Sequence, residues 1–453
     1  MAAHRFHFML PVWGERYVET FLTLCLPAML SPGNLGGFPW RADSRFIVYT
    51  RAQDWATMQA APAFLRLQAL MTVEFVPIDD RIGGNPMGTF TRCQQAAAER
   101  ADAEEAALFF LSPDLLWSDG SFRFAAEKVV AGASAVMTTG IRTALEDMRR
   151  DILAEFRPDA GGALALAPRH LSRLALRHMH AINSAWRWDS ERFDRWPAYL
   201  LWPAGAQGMI AIGYVLHPIV IKPTARRAPF RNIFDQDYLA AACPEIERIH
   251  VCRSSDDAIF FEMSPRERDV GLLIPNRASS YDVAYWAEWS FNAHHRAFAR
   301  QPIRIAGGEV AETDWQAAES QGRAVVAEIE AHLAVPDSHL LLFDWRRLRV
   351  RTRARYRLAH DDLRNVGWVW SLIDAGIEVG RVLATLRGVA ERTDRAVIDH
   401  LHRQEIAPAE RLTAESEQRA WSSATRRLYR RLRARERRAE RLASGTGPGR
   451  LRP

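Results

Sequence analysis

Lysine is almost missing from this sequence: Lys128 and Lys222 are the only two among 60 basic residues, and arginine supplies the rest. With alanine abundant, that bias reflects GC-rich coding better than a chemistry that needs guanidinium groups. Cysteine is scarce too. Cys25, Cys93, Cys243 and Cys252 make neither a CxxC pair nor a zinc spacing, which excludes a zinc module. A reducing compartment, the cytoplasm, is the simplest home for four scattered thiols. No apolar run reaches the ~18–20 residues that span a bilayer. The best, 208–221, contains Tyr214 and His217. Glu15 and Arg16 stand where a secretory signal would stay apolar. The glycines spell neither GxGxxG nor a Walker loop, so neither a dinucleotide fold nor a P-loop NTPase has its phosphate cradle here.

What is present is a globular composition. The chain has 453 residues, 48% of them hydrophobic and 25% charged, with a net charge of +6. That length exceeds one ordinary core, so two domains, or one large domain with extensions, are expected. The first third alternates strand-like and helix-like patterns. Residues 5–12 read as a strand ended by Pro11 and the loop Trp13-Gly14-Glu15; residues 16–30 carry helical spacing. Residues 45–50 are a second strand, ending in Thr50-Arg51; a helix over 53–70 leads to a third strand, 71–78, ending in Asp79-Asp80. An alanine-rich helix at 89–105 follows, then a fourth strand, a helix over 122–131 and a fifth strand, 135–139. Strands alternating with helices and ending in polar residues predict an α/β fold with a doubly wound, mostly parallel sheet.

The fourth strand is the pivot. Residues 106–111 are continuously apolar and stop at Ser112-Pro113-Asp114. Pro113 has no N–H for a sheet ladder and restricts the residue before it. Asp114 is therefore expected at the carboxyl edge of the sheet, where open α/β folds bind ligands. A second break, Trp117-Ser118-Asp119-Gly120, follows at once. An Asx-type turn around Asp114 fits the same residues.

The order of these features, with Arg92 on the helix feeding strand four in TFTRCQQAAAERADAEEAALFFLSPD, resembles the donor half of a GT-A-type nucleotide-sugar glycosyltransferase, family-2-like and bacterial. The resemblance covers about the first third of the chain and rests on order and pattern. It departs from the family in carrying a single Asp114, not two aspartates flanking one residue. It implies a divalent cation, Mn or Mg, held by Asp114, and a late metal ligand for which His217 is the candidate. A donor-binding set is implied at Pro11, Trp13, Gly14, Glu15, Thr50, Arg51, Asp79 and Arg92, with Lys222 against the diphosphate. The chemistry is coherent: a sugar diphosphonucleoside leaves readily only when its diphosphate charge is neutralised, and hard cations prefer carboxylate oxygens. Each of these residues also suits a plain solvated loop, Arg92 a helix-surface charge, and His217 a buried histidine bonded to backbone.

Beyond residue 150 the pattern changes. The organisation expected is a donor-binding half at 1–150, an acceptor-side half at 151–310, a helical C-terminal extension at 311–424 and an arginine-rich tail at 425–453. His178 and His180 flank Met179 and cannot share a helix face. The aromatic cluster Trp186, Trp188, Phe193, Trp196, Tyr199 and Trp202 suits either sugar stacking or a core. In Phe234-Asp235-Gln236-Asp237-Tyr238 either carboxylate could deprotonate an acceptor hydroxyl; Asp237 and Asp119 are the catalytic-base candidates. The tail, with Glu436 and Glu440 opposing its arginines, suits a solvated helix, a free arm, or contact with an anionic membrane surface or nucleic acid. Two functions follow. One is a cytoplasmic, metal-assisted glycosyltransferase, peripheral at the inner face of the membrane through the tail, taking a nucleotide-sugar donor and a glycan or protein acceptor. The other is a non-catalytic α/β scaffold with a basic arm.

Overall fold

The computed structural model describes residues 4–82, 86–194, 197–230, 234–270, 273 and 276–333. The helices expected at 357–380 and 384–403, the apolar run 339–343 and the arginine tail at 425–453 lie outside those residues. Contacts gather the chain into two units, one of residues 1–278 and 291–327, the other of 279–290 and 328–453. All the described strands belong to the first.

In chain order these are β1 (Phe6–Pro11), β2 (Arg45–Thr50), β3 (Thr72–Pro77), β4 (Ala107–Phe110), β5 (Leu115–Trp117), β6 (Ala135–Thr138) and β7 (Gly140–Ala144). They are followed by β8 (Tyr199–Ala204), β9 (Gly208–Gly213), β10 (His217–Ile221), β11 (Ile249–Val251), β12 (Phe260–Ser264) and β13 (Ile303–Ala306). Seven of them form the central sheet in the order β11-β6-β10-β4-β1-β2-β3. Every pairing in it is parallel except the two made by β10, which runs against β4 and β6. The fold class is α/β with a mostly parallel sheet. Every residue of β1 and β4 is buried, so both faces of the sheet are covered, as in a doubly wound fold.

The apolar runs explain that burial. Phe8 of β1 stacks on Phe109 of β4 at 4.4 Å, and Phe122, from the helix Ser121–Val130, closes over both at 5.6 and 5.3 Å. Two smaller sheets, β5-β12-β7 and β13-β9-β8, complete the strand set.

Three elements differ from the sequence reading. The helix expected over 53–70 is two helices, Ala52–Gln59 and Pro62–Leu70, because Pro62 starts a helix better than it continues one. The helix expected over 16–30 contains a π-turn, Phe21–Cys25, immediately before Pro27, whose missing N–H breaks the regular ladder. The apolar segment 208–223 is two strands in two different sheets; its hydrophobicity runs on through the turn because Tyr214 and Leu216 there are fully buried.

Candidate functional site

Parallel strands end on one edge, and this edge gathers most of the expected residues. Pro11, Thr50 and Phe110 close β1, β2 and β4 there, and His217 opens the reversed β10 at the same level, opposite Thr138 at the end of β6.

Beyond β1 and β2 the loop is tied down by a residue that the sequence reading passed over. Asp54, only 4% exposed, accepts the Gly14 N–H at 3.0 Å and takes Arg51 in a forked pair at 2.6 and 2.9 Å. Burial would raise its carboxyl, but the bonds from Arg51 and Gly14 outweigh burial and hold it below the usual range. Gly14 has φ +86°, a backbone state that side chains resist, so the sharp turn requires glycine. Asp79 accepts the Ala52 N–H at 3.1 Å and so caps the helix that Arg51 precedes. Thr50 is buried with its hydroxyl unpartnered, Trp13 is half-buried against the core, and Glu15 is exposed in the first helical turn. Arg92 donates to the Arg81 carbonyl at 2.7 Å and so belongs to the loop after β3.

Asp114 lies where the break after β4 puts it. Ser112 Oγ donates to its Oδ1 at 2.5 Å, and its carbonyl accepts the Met263 N–H at 2.9 Å, which brings β12 alongside. Burial, then the negative charge of Glu262, push the Asp114 carboxyl up to about 6, against the Ser112 bond and the Arg268 charge. Glu262 pairs with Arg142 of β7 at 2.8 Å. Arg268 reaches across to the Tyr17 hydroxyl at 3.3 Å.

On the far side of β12, Tyr199 accepts the Gly140 N–H at 2.8 Å; the charges of Asp235, Glu262 and Arg142 all act on its phenol, which burial pushes up. Asp235 sits in a π-turn, Phe234–Tyr238, with Oδ1 buried and unpartnered. Burial pushes its carboxyl up to about 7. Phe234 stacks on Phe110 at 4.7 Å, which fixes this turn against the end of β4.

Four expected residues are engaged elsewhere, exposed or enclosed. Lys222 follows the end of β10, and because β10 is reversed it lies at the opposite edge of the sheet, where Nζ donates to the Glu105 carbonyl. Asp119 is a staple: Oδ1 accepts the Gly33 N–H at 2.7 Å and its own N–H donates to the Leu166 carbonyl at 2.8 Å. Asp237 is exposed, whereas its neighbour Asp235 turns inward. His217 is at the right edge but packs edge-on between Phe234 and Phe260, at 4.9 and 4.6 Å. Burial pushes its imidazole down to about 3, so the ring is neutral.

For a divalent cation the fit divides. Among the described residues no group of three His, Cys, Asp or Glu side chains is placed to hold an ion. Asp114 suits a hard cation in chemistry: it offers carboxylate oxygens beside Glu262, and a positive charge would relieve its repulsion. His217, in its aromatic sleeve, has no such company. A cation here would rest on Asp114, with Glu262 near it, and take its remaining oxygens from ligand and water.

Comparison with known proteins is sparse. The sequence matches no family profile and no curated protein. Among solved structures it is similar to a mannosyltransferase from Pyrobaculum calidifontis in complex with GDP-Man and Mn2+, at 13% identity over 88% of this chain and 85% of that one, with a TM-score of 0.30. It is also similar to the apo form of mouse xyloside xylosyltransferase 1, at 9% identity over 33% of this chain and 59% of that one, with a TM-score of 0.20. Values this low assign no activity to this chain.

Proposed function

We propose that the carboxyl edge of the central sheet binds a nucleotide-diphosphate sugar and transfers the sugar to a hydroxyl of a glycan or protein acceptor. The observation that carries this reading is the placing of two raised carboxyls at one edge, Asp114 beside Glu262 and Arg268, and Asp235 beside Tyr199, whose phenol also feels Glu262 and Arg142, where the Gly14–Asp54–Arg51 loop is also built. Perturbed groups of this kind cluster at functional sites. The resemblance carried by Arg92 and the break at Asp114 supplies the substrate class.

Each residue then has a task. Trp13, Gly14 and Glu15, with Arg51, line the way in for the nucleoside; Pro11 and Thr50 are the buried floor beneath them, Asp79 holds the start of the following helix, and Asp54 keeps the loop in one shape. Arg268, not Lys222, is the cation facing the diphosphate. Asp114, with Glu262, would hold a divalent ion; when bound, such an ion neutralises charge on the leaving diphosphate. The acceptor oxygen bonds to the anomeric carbon as the bond to the diphosphate oxygen breaks, and that oxygen keeps the electron pair. Asp235 takes the acceptor's proton, a role that suits a carboxyl raised to about 7. It replaces Asp119 and Asp237 in that part.

A thermal-shift screen of UDP and GDP, with and without Mn2+, tests the reading. It predicts stabilisation by one of the two that grows with the metal. No stabilisation by any nucleotide diphosphate under either condition contradicts it.

A further inference from the structure

The turn that carries Asp235 is one turn of π-helix leading into the short helix Leu239–Ala242. Such turns are rare and tend to mark functional positions. Both ends of this segment are held from a single element, the helix Ala293–Phe298. His294 Nε2 lies 2.8 Å from the Cys243 carbonyl, and His295 Nε2 lies 3.1 Å from the Asp235 carbonyl.

The second nitrogen of His295 is also committed. Its Nδ1 accepts the Asn292 N–H at 3.2 Å, while Asn292 Oδ1 accepts the His295 N–H at 3.1 Å, a reciprocal box at the start of the helix. Polarity fixes the tautomer. A backbone N–H only donates, so Nδ1 is bare; a carbonyl only accepts, so Nε2 carries the hydrogen. The residue is 1% exposed. A leucine of similar bulk would fill the space but leave two part-buried backbone groups, the Asp235 carbonyl and the Asn292 N–H, without these partners.

We propose that His295 is a positioning residue: its Nε2–H bond to the Asp235 carbonyl sets the backbone of the π-turn so that the Asp235 carboxyl faces inward while Asp237 faces solvent. This rests on the reading of Asp235 as the proton acceptor and explains why one of two carboxylates spaced by a single residue is chosen. The titratable groups around it are few. His294 and Asp237 act on His295, and Tyr199, whose phenol also feels Glu262 and Arg142, lies within the field of Asp235. Burial pushes the His295 imidazole down to about 4, in keeping with a ring that stays neutral.

Two measurements on the full chain test this. Histidine-selective nitrogen NMR, with the His295 signals assigned by their loss in His295→Gln, reads the tautomer directly. The expected result is one neutral Nε2–H form that does not titrate between about pH 5.5 and 8. Infrared titration of the Asp235 carboxyl, assigned by its absence in Asp235→Asn, reads the positioning. The midpoint, about 7 in the unaltered chain, should fall by about one unit or more in His295→Leu as the turn relaxes toward water. His295→Gln, whose amide can still donate to the carbonyl, should hold it. GDP and UDP binding by calorimetry should be the same in all three proteins. An imidazolium in that window, a leucine variant with an unmoved midpoint, or glutamine behaving like leucine each overturns the inference. If His295→Leu does not fold, the glutamine variant and the tautomer decide. Should neither nucleotide bind any of the proteins, the reading of the cleft fails while the result for His295 still stands.

Discussion

The two edges of the central sheet both carry ion pairs, but among the described residues only the carboxyl edge also holds carboxyls pushed up by burial. At the amino edge, Arg100 pairs with Glu74 at 2.7 Å and with Glu104 at 2.8 Å, and Arg45 pairs with Glu74 at 2.6 Å. The Arg100 hydrogen bond, against some burial and with help from Arg45, holds the Glu74 carboxyl below its usual range. At the carboxyl edge the carboxyls of Asp114 and Asp235 are raised, and Asp235 has a buried oxygen with no partner. The amino-edge carboxylates are tied up in ion pairs that serve the fold. At the carboxyl edge Asp54 is tied up in the same way by Arg51, but Asp114 and Asp235 are held in a state that folding alone does not favour, which is where a ligand or a reacting proton has something to gain.

The contrast predicts effects of different kind and size. The largest is on turnover. Asp235→Asn keeps the shape of the side chain but cannot take a proton, so sugar transfer should fall about 10²-fold or more, a loss of ~2.7 kcal/mol at least. The same change should stabilise the fold, with a defined pH dependence. A carboxyl whose folded pKa is raised to about 7 binds its proton more tightly when folded. It therefore costs stability progressively as the pH rises from about 4 to about 7, by up to roughly 4 kcal/mol. Melting temperatures of Asp235→Asn and the unaltered chain should nearly coincide at acid pH and separate above neutrality, with the variant higher. A variant less stable at pH 8 would place Asp235 with the structural charges.

Next in size is Asp119→Ala, which leaves the Gly33 N–H without its acceptor and should cost about 1–3 kcal/mol in denaturant unfolding. Turnover per folded molecule should barely change; a loss as deep as that of Asp235→Asn would return Asp119 to the chemistry. Smaller still is Glu74→Gln at the amino edge. Its depressed carboxyl contributes stability that is present above the unfolded pKa and is lost as pH falls through the folded one. The pair partners are partly exposed, so the loss at neutral pH should be about 1 kcal/mol, vanishing in acid. Nucleotide binding should not follow it. The smallest effect is Lys222→Met: transfer and nucleotide affinity should be unchanged, and a tenfold weaker nucleotide affinity would mean that Lys222 reaches the ligand after all.

How much of this was legible in the chain depends on which physical rule decided it. The runs at β1, β2 and β4 and their polar ends read directly, because buried parallel strands must be apolar and must end where the ladder ends. Strand direction did not read. Nothing in HPIVIK says that β10 runs backwards, so His217 was expected at the right edge and Lys222 was expected there too. Nor did the inward face of FDQDY: the alternating carboxylates leave either one open as the base, whereas the π-turn sends Asp235 inward and Asp237 outward. Asp54 was missed because it looks like any helix-surface carboxylate until Gly14 and Arg51 are folded against it. Glu262 and Arg142 left a faint trace, a single charge in each of two otherwise apolar or small-residue strands, FFEMS and GIRTA.

The central claim is that Asp114 holds function rather than fold. Its most direct test compares Mn2+-dependent stabilisation by the nucleotide diphosphate in the unaltered chain and in Asp114→Asn, with the ligand-free melting temperature of each. The account predicts that ligand-free melting barely moves, or rises slightly as a raised carboxyl is removed, while the metal-dependent increment disappears. An Asp114→Asn protein that melts well below the original yet keeps its full metal-dependent increment would show that Asp114 is a turn residue, and the claim would be wrong.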